Sequence, residues 1–163
     1  MIIIRRLILL ILLCLAQALV FNRFQLLHCA TPLIYIYFVI LFPKNEVRGF
    51  VLLWSFLLGV IVDSFSNTLG VATMSLTATA FLLPYLLMLF LPRDADPDMD
   101  VSARSLGWGK FTAFSSIIIV VFCLLFFMLE SFSFFQWLDW ILATVGSSII
   151  TLLLILIIES FRK

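Results

Sequence analysis

Asp94, Asp96, Asp98 and Asp100 occupy every second position of the stretch RDADPDMD (93–100), the spacing with which an EF-hand calcium loop begins. That loop needs a glycine at its sixth position and a bidentate glutamate at its twelfth. Met99 and Ser105 stand there instead, so the run reads as a solvated turn broken by Pro97, with at most an acidic face for a basic partner. His28 is the single histidine. A proton relay needs a series of ionisable partners, and its sequence neighbours Cys29, Ala30, Thr31 and Pro32 supply none, so an interfacial histidine is the simpler reading. Cys14, Cys29 and Cys123 lie in apolar runs without metal-ligand spacing and read as small hydrophobes. There is no GxSxG, HExxH or phosphate-cradling glycine loop, so no catalytic, metal or cofactor site is expected.

A further carboxylate stands at the edge of an apolar run. Asp63 follows the apolar run 50–62 directly, in LLGVIVDSFSNTLGVAT (57–73). A charge at the centre of a bilayer costs about 3 kcal/mol even on the permissive insertion scale, and much less at its edge. What Asp63 can do therefore depends on where its helix ends.

The elements that place it follow from composition. Of 163 residues, 64% are hydrophobic and only 12% charged, far from the half-apolar, quarter-charged balance of soluble domains. The net charge of +1, without a basic cluster, argues against nucleic acid. About 20 apolar residues cross a hydrocarbon core as helix. Six runs qualify, at about 2–21, 24–42, 50–66, 69–91, 111–129 and 141–158, with a long connection at 92–110. The expected fold is an all-α single membrane domain over 1–163, a polytopic bundle of six transmembrane helices.

If the connections alternate sides, nine of the ten basic residues share one side with both termini: Arg5, Arg6, Lys44, Arg48, Arg93, Arg104, Lys110, Arg162 and Lys163. Arg23 alone lies opposite. Basic residues concentrate in cytoplasmic connections, so both termini are predicted cytoplasmic and Asp63 faces outward. The N-terminal stretch MIIIRRLILLILLCLAQA has the layout of a secretory signal with an Ala16-Gln17-Ala18 site, but five further spans need no removable leader, and a retained anchor is expected.

Within this frame Asp63 ends the third span, where its own helix dipole disfavours an anion, and faces the N-terminus of the fourth, which favours one. Asn67 or Thr68 is expected to cap the fourth helix, and Gly70 to let the two backbones approach. Asp63 is either a polar residue ending a span or part of a partner or ligand site. Pro32 and Pro84 fall inside the second and fourth spans and are predicted to kink them. Ala143, Ser147 and Thr151, and Ser75 with Thr79, repeat every four residues as small-residue packing stripes for this bundle or for a partner's helix. Phe132, Phe134, Phe135, Trp137 and Trp140 read as an aromatic belt on the outer leaflet.

Pro32, Pro43, the stretch GVIVD (Gly59 to Asp63) and then NTLG (Asn67 to Gly70) carry a family resemblance. Across nearly its whole length the chain resembles the bacterial rod shape-determining protein MreD family. The resemblance implies a non-enzymatic scaffold subunit of the cell-elongation complex in the bacterial inner membrane. Its partners would be the bitopic protein MreC and, through the complex, the MreB filament and the glycan polymerase–transpeptidase pair. Gly59, Asp63, Asn67 and Gly70 would then fix an outer hairpin that presents the bundle to MreC. The alternative is the substrate-binding membrane component of a vitamin-type transporter, for which Gln25, His28, Asp63 and Asn67 could line an outward pocket.

Overall fold

A computed structural model describes residues 2–17, 31–43, 46–68, 70–91, 101–131 and 137–162. Several residues singled out above lie outside these: Arg23, Gln25, His28, Cys29, Lys44, Leu69, Arg93, the Asp94–Asp100 run with Pro97 and Met99, Phe132, Phe134, Phe135 and Lys163. All regular structure among the described residues is helical. The elements are α1 (Ile2–Ala16), α2 (Ile36–Ile40), α3 (Arg48–Ser66), α4 (Val71–Phe90), α5 (Ala103–Leu106), α6 (Trp108–Ser131) and α7 (Trp137–Phe161).

Four of these, α3, α4, α6 and α7, are long and apolar enough to cross a membrane. With 19 to 25 residues each, they span roughly 28 to 38 Å at about 1.5 Å per residue, against a hydrocarbon core of about 30 Å. They correspond to the last four expected runs, and the chain is a multi-pass membrane protein on this ground. The outer faces of these helices carry Leu53, Phe56, Met74, Phe81, Leu142 and Ile149 into the surroundings, which lipid solvates at no cost.

α6 runs through the middle. Phe111, Phe114, Ile118, Ile119, Phe122 and Cys123 recur at helical spacing and are fully buried between α4 and α7. Aromatic edges lock the layers together: Phe90 of α4 meets Phe114, and Tyr35 stands at 88° to the ring of Phe122 with centroids 5.5 Å apart. Neighbouring long helices alternate in direction. Arg48 at the start of α3 lies over the ring of Tyr85 near the end of α4, and the end of α7 reaches α5, so one end of the bundle collects Arg6, Glu46, Arg48, Ala103 and Glu159. Asp63 lies at the other.

The expected second span is the exception. Instead of a kinked helix over 24–42, the described part holds a non-helical stretch at Thr31–Leu33, a turn at Ile34–Tyr35 and the single short helix α2. Pro32 breaks the chain here rather than bending it. Proline has no N–H to give, and it pushes the residue before it out of the helical region. This irregular segment is nonetheless continuously buried, with every residue from Leu33 to Ile40 inside. Pro84, by contrast, sits within α4, which stays helical from Val71 to Phe90.

Candidate functional site

The turn between α3 and α4 is built around the Asp63 carboxylate. Its Oδ1 accepts from the backbone N–H of Ala72 (2.9 Å) and the hydroxyl of Thr68 (2.7 Å). Its Oδ2 accepts from the N–H (2.9 Å) and the hydroxyl (2.6 Å) of Thr73. Ala72 and Thr73 are the second and third residues of α4, whose N–H groups have no partner within their own helix. Asp63, buried from solvent, thus caps the helix that follows its own, with the favourable end of that helix's dipole outweighing the unfavourable end of its own.

Asn67 and Thr68 do not cap α4, contrary to the expectation from sequence. The N-cap position is Gly70, which has no side chain to offer, and Asp63 fills the role from across the turn. Asn67 instead ends α3 in the left-handed region (φ 57°, ψ 32°), where asparagine is tolerated, and its N–H donates to the carbonyl of Asp63. Thr68 donates to that carbonyl through its N–H and to the carboxylate through its hydroxyl, so residue 63 gathers the turn through both main chain and side chain.

The close approach expected at Gly70 is made by another glycine. Gly70 adopts φ +80° with open space around it, so it serves the turn's backbone and not a close approach. The close approach is at Gly59, where a Cβ would lie 2.4 Å from the Cα of Thr73. Gly59 and Asp63 are one helical turn apart on the same face of α3. One admits the backbone of α4 and the other holds it.

A second polar cluster secures the broken segment. Thr31 N–H donates to Ser147 Oγ (3.0 Å), Leu33 N–H to Thr151 Oγ1 (3.1 Å) and Ile34 N–H to Gln17 Oε1 (3.3 Å), while Gln17 Nε2 donates to the carbonyl of Pro32 (3.0 Å). An unsatisfied amide in apolar surroundings costs several kcal/mol, and these four bonds remove that cost. The Ser147/Thr151 stripe on α7 therefore supplies hydroxyls to a neighbouring backbone. On α4, Ser75 and Thr79 bond only to their own helix, at Val71 and Ser75 carbonyls.

The sequence reading passed over Glu159. It is buried near the end of α7 and accepts from the Tyr37 hydroxyl of α2 (2.5 Å) and from the N–H of Ala103, the first residue of α5 (3.0 Å), with Arg162 3.8 Å away. The arrangement parallels Asp63: a carboxylate at the C-terminal end of one helix, held by the N-terminal N–H of another. A glutamate closing a long apolar run was the available signal. Arg6 and Glu46 form a bidentate pair (2.8 and 2.6 Å) that ties α1 to the connection before α3, and the Arg6 hydrogen bonds hold the Glu46 carboxyl below its usual range.

These groups give each other their hydrogen bonds. Among the described residues no three His, Cys, Asp or Glu side chains stand close enough together to hold a metal ion. The Tyr35 hydroxyl is fully buried and makes no hydrogen bond. Compared with known family models, with curated proteins and with solved structures, the chain matches none.

Proposed function

We propose that the protein is a non-enzymatic scaffold subunit of a bacterial cell-elongation complex, similar to the MreD family, in the inner membrane. In this reading the chain makes six passes with both termini cytoplasmic, α1 and the broken α2 segment forming the first two. The Asp63 hairpin then faces the periplasm and presents the bundle to an MreC-like bitopic protein, and through it to the MreB-like filament and the glycan polymerase–transpeptidase pair. The observation that carries this reading is the saturation of Asp63. A carboxylate with four donors is built to fix a shape, and a fixed surface is what a scaffold offers a partner. Gly59, Asp63, Asn67 and Gly70, among the residues that carry the resemblance, are those that shape this hairpin.

One observation favours the alternative of a vitamin-type transporter's substrate-binding component. Broken helices and orphaned polar groups at membrane depth line binding sites in transporters, and the segment at Thr31–Tyr35 has both features. Co-purification separates the two. The scaffold reading expects an MreC-like protein to accompany the tagged full chain, and Asp63→Ala to lose it while the variant still reaches the membrane. Retention of that protein by Asp63→Ala removes the hairpin's role. An ATPase and a coupling subunit in its place would establish the transporter reading.

A further inference from the structure

Beyond its hairpin, the bundle carries a cationic shoulder where α5 meets α6. α5 is pinned from beneath: Val101 and Ala103 are buried, Glu159 accepts the Ala103 N–H, and Ser102 and Ser105 cap the short helix reciprocally. With that side fixed, Arg104 is turned outward. Gly107, at φ +86°, then joins α5 to α6, whose first residues Trp108, Gly109 and Lys110 are all exposed. Fully buried Phe111 follows immediately.

The depth of this shoulder follows from the helix it opens. α6 is long enough to cross the hydrocarbon with little to spare, so residues just before Phe111 lie at the headgroup layer, where an exposed indole is at home. Three other cations at this end are engaged: Arg6 with Glu46, Arg48 over Tyr85, Arg162 beside Glu159. Among the described residues, Arg104 and Lys110 form no ion pair. Two unpaired cations and a tryptophan at headgroup depth match a phosphate that carries net negative charge on a lipid.

We infer that Arg104, Trp108 and Lys110 form a contact site for the headgroup of an anionic phospholipid such as phosphatidylglycerol. The inference rests on the chain crossing a bilayer but not on its place in a cell-elongation complex. Each basic side chain near a charged surface is worth roughly a five-fold change in lipid affinity, and the effect fades with salt.

The test uses the full chain in detergent, titrated with a fluorescent short-chain phosphatidylglycerol and with the matching phosphatidylcholine. The wild type is expected to prefer phosphatidylglycerol by about twenty-five-fold at low salt, with most of that preference gone at about 1 M salt. In Arg104→Gln/Lys110→Gln it falls close to one, while Arg48→Gln, at the same end of the bundle, keeps it. Helical content and thermal unfolding of each variant are checked alongside. No preference in the wild type overturns the inference whatever the variants do. So does a preference kept by the double variant, an equal loss in Arg48→Gln, which would spread the effect over the whole basic end, or displacement of the lipid by inorganic phosphate, which would make the site one for a free anion.

Discussion

Asp63 illustrates how one side chain can fix the relation of two helices. Replacing it with Ala strands the Ala72 and Thr73 N–H groups and two hydroxyls in an apolar environment. Hydrogen bonds to a charged group are worth roughly 1.5–3 kcal/mol each but are not additive here, so a loss of about 3 kcal/mol is expected, read as a lower unfolding temperature of the detergent-solubilised chain. Asp63→Asn, which turns an amide toward donors, should recover only part of it. Gly59→Ala should cost about 1–3 kcal/mol by forcing α3 and α4 apart, whereas Gly49→Ala, with open space around it, should cost far less in the same unfolding measurement. The importance of Asp63 was readable from sequence, because an anion at the C-terminal end of its own helix must find compensation elsewhere. That the N-terminus of α4 would supply it was readable too, but the threonine hydroxyls that complete the set were not. Asn67 and Thr68 have the right chemistry to cap α4, and only the left-handed turn at Asn67 shows them serving α3 and the carboxylate instead. Likewise glycine type alone does not separate Gly70, needed for its φ, from Gly59, needed for its missing Cβ.

At the level of elements, runs of apolar residues identified α3, α4, α6 and α7 but misread the segment around Pro32. A proline in an apolar run is compatible with a kink or a break, and the difference lies in partners remote in sequence: Gln17 in α1, and Ser147 and Thr151 in α7. The stripe that sequence presented as packing is thus a set of acceptors for a backbone without a helix. Thr151→Val keeps the shape and removes the acceptor for Leu33. It should destabilise by about 1–3 kcal/mol, the cost of a buried donor left unmet, while Thr79→Val, whose hydroxyl only bonds its own helix, should be close to neutral. Paired thermal unfolding of the two variants checks this. Glu159 performs at one end of the bundle the task of Asp63 at the other, joining α7 to α2 and α5. Glu159→Gln should free α5 and raise amide exchange across 101–106, with little change at the Asp63 hairpin.

For the molecule as a whole, charge placement is coherent. Arg6–Glu46, Arg48 over Tyr85 and the Glu159 cluster collect at one end, and Asp63 closes the other. The Arg6–Glu46 pair gives that end a pH dependence of definite sign. Glu46's folded carboxyl titrates below the ordinary value of 4.5, so its contribution is complete above about that pH and is lost as pH falls through the lower folded value. An acid titration of unfolding should show this loss in the wild type and not in Glu46→Gln. Pairing across the bundle was legible only as a bias of basic residues to one side, since which cation meets which carboxylate depends on the packed fold. In the proposed topology this basic end is cytoplasmic and the Asp63 turn is outside. Labelling with a membrane-impermeant maleimide tests it directly, using cysteines introduced at exposed Asn67 and exposed Arg104. In intact spheroplasts Asn67→Cys should label fully and Arg104→Cys only after permeabilisation. Labelling of Arg104→Cys in intact spheroplasts, with Asn67→Cys protected, would invert the molecule in its membrane and overturn the proposed topology.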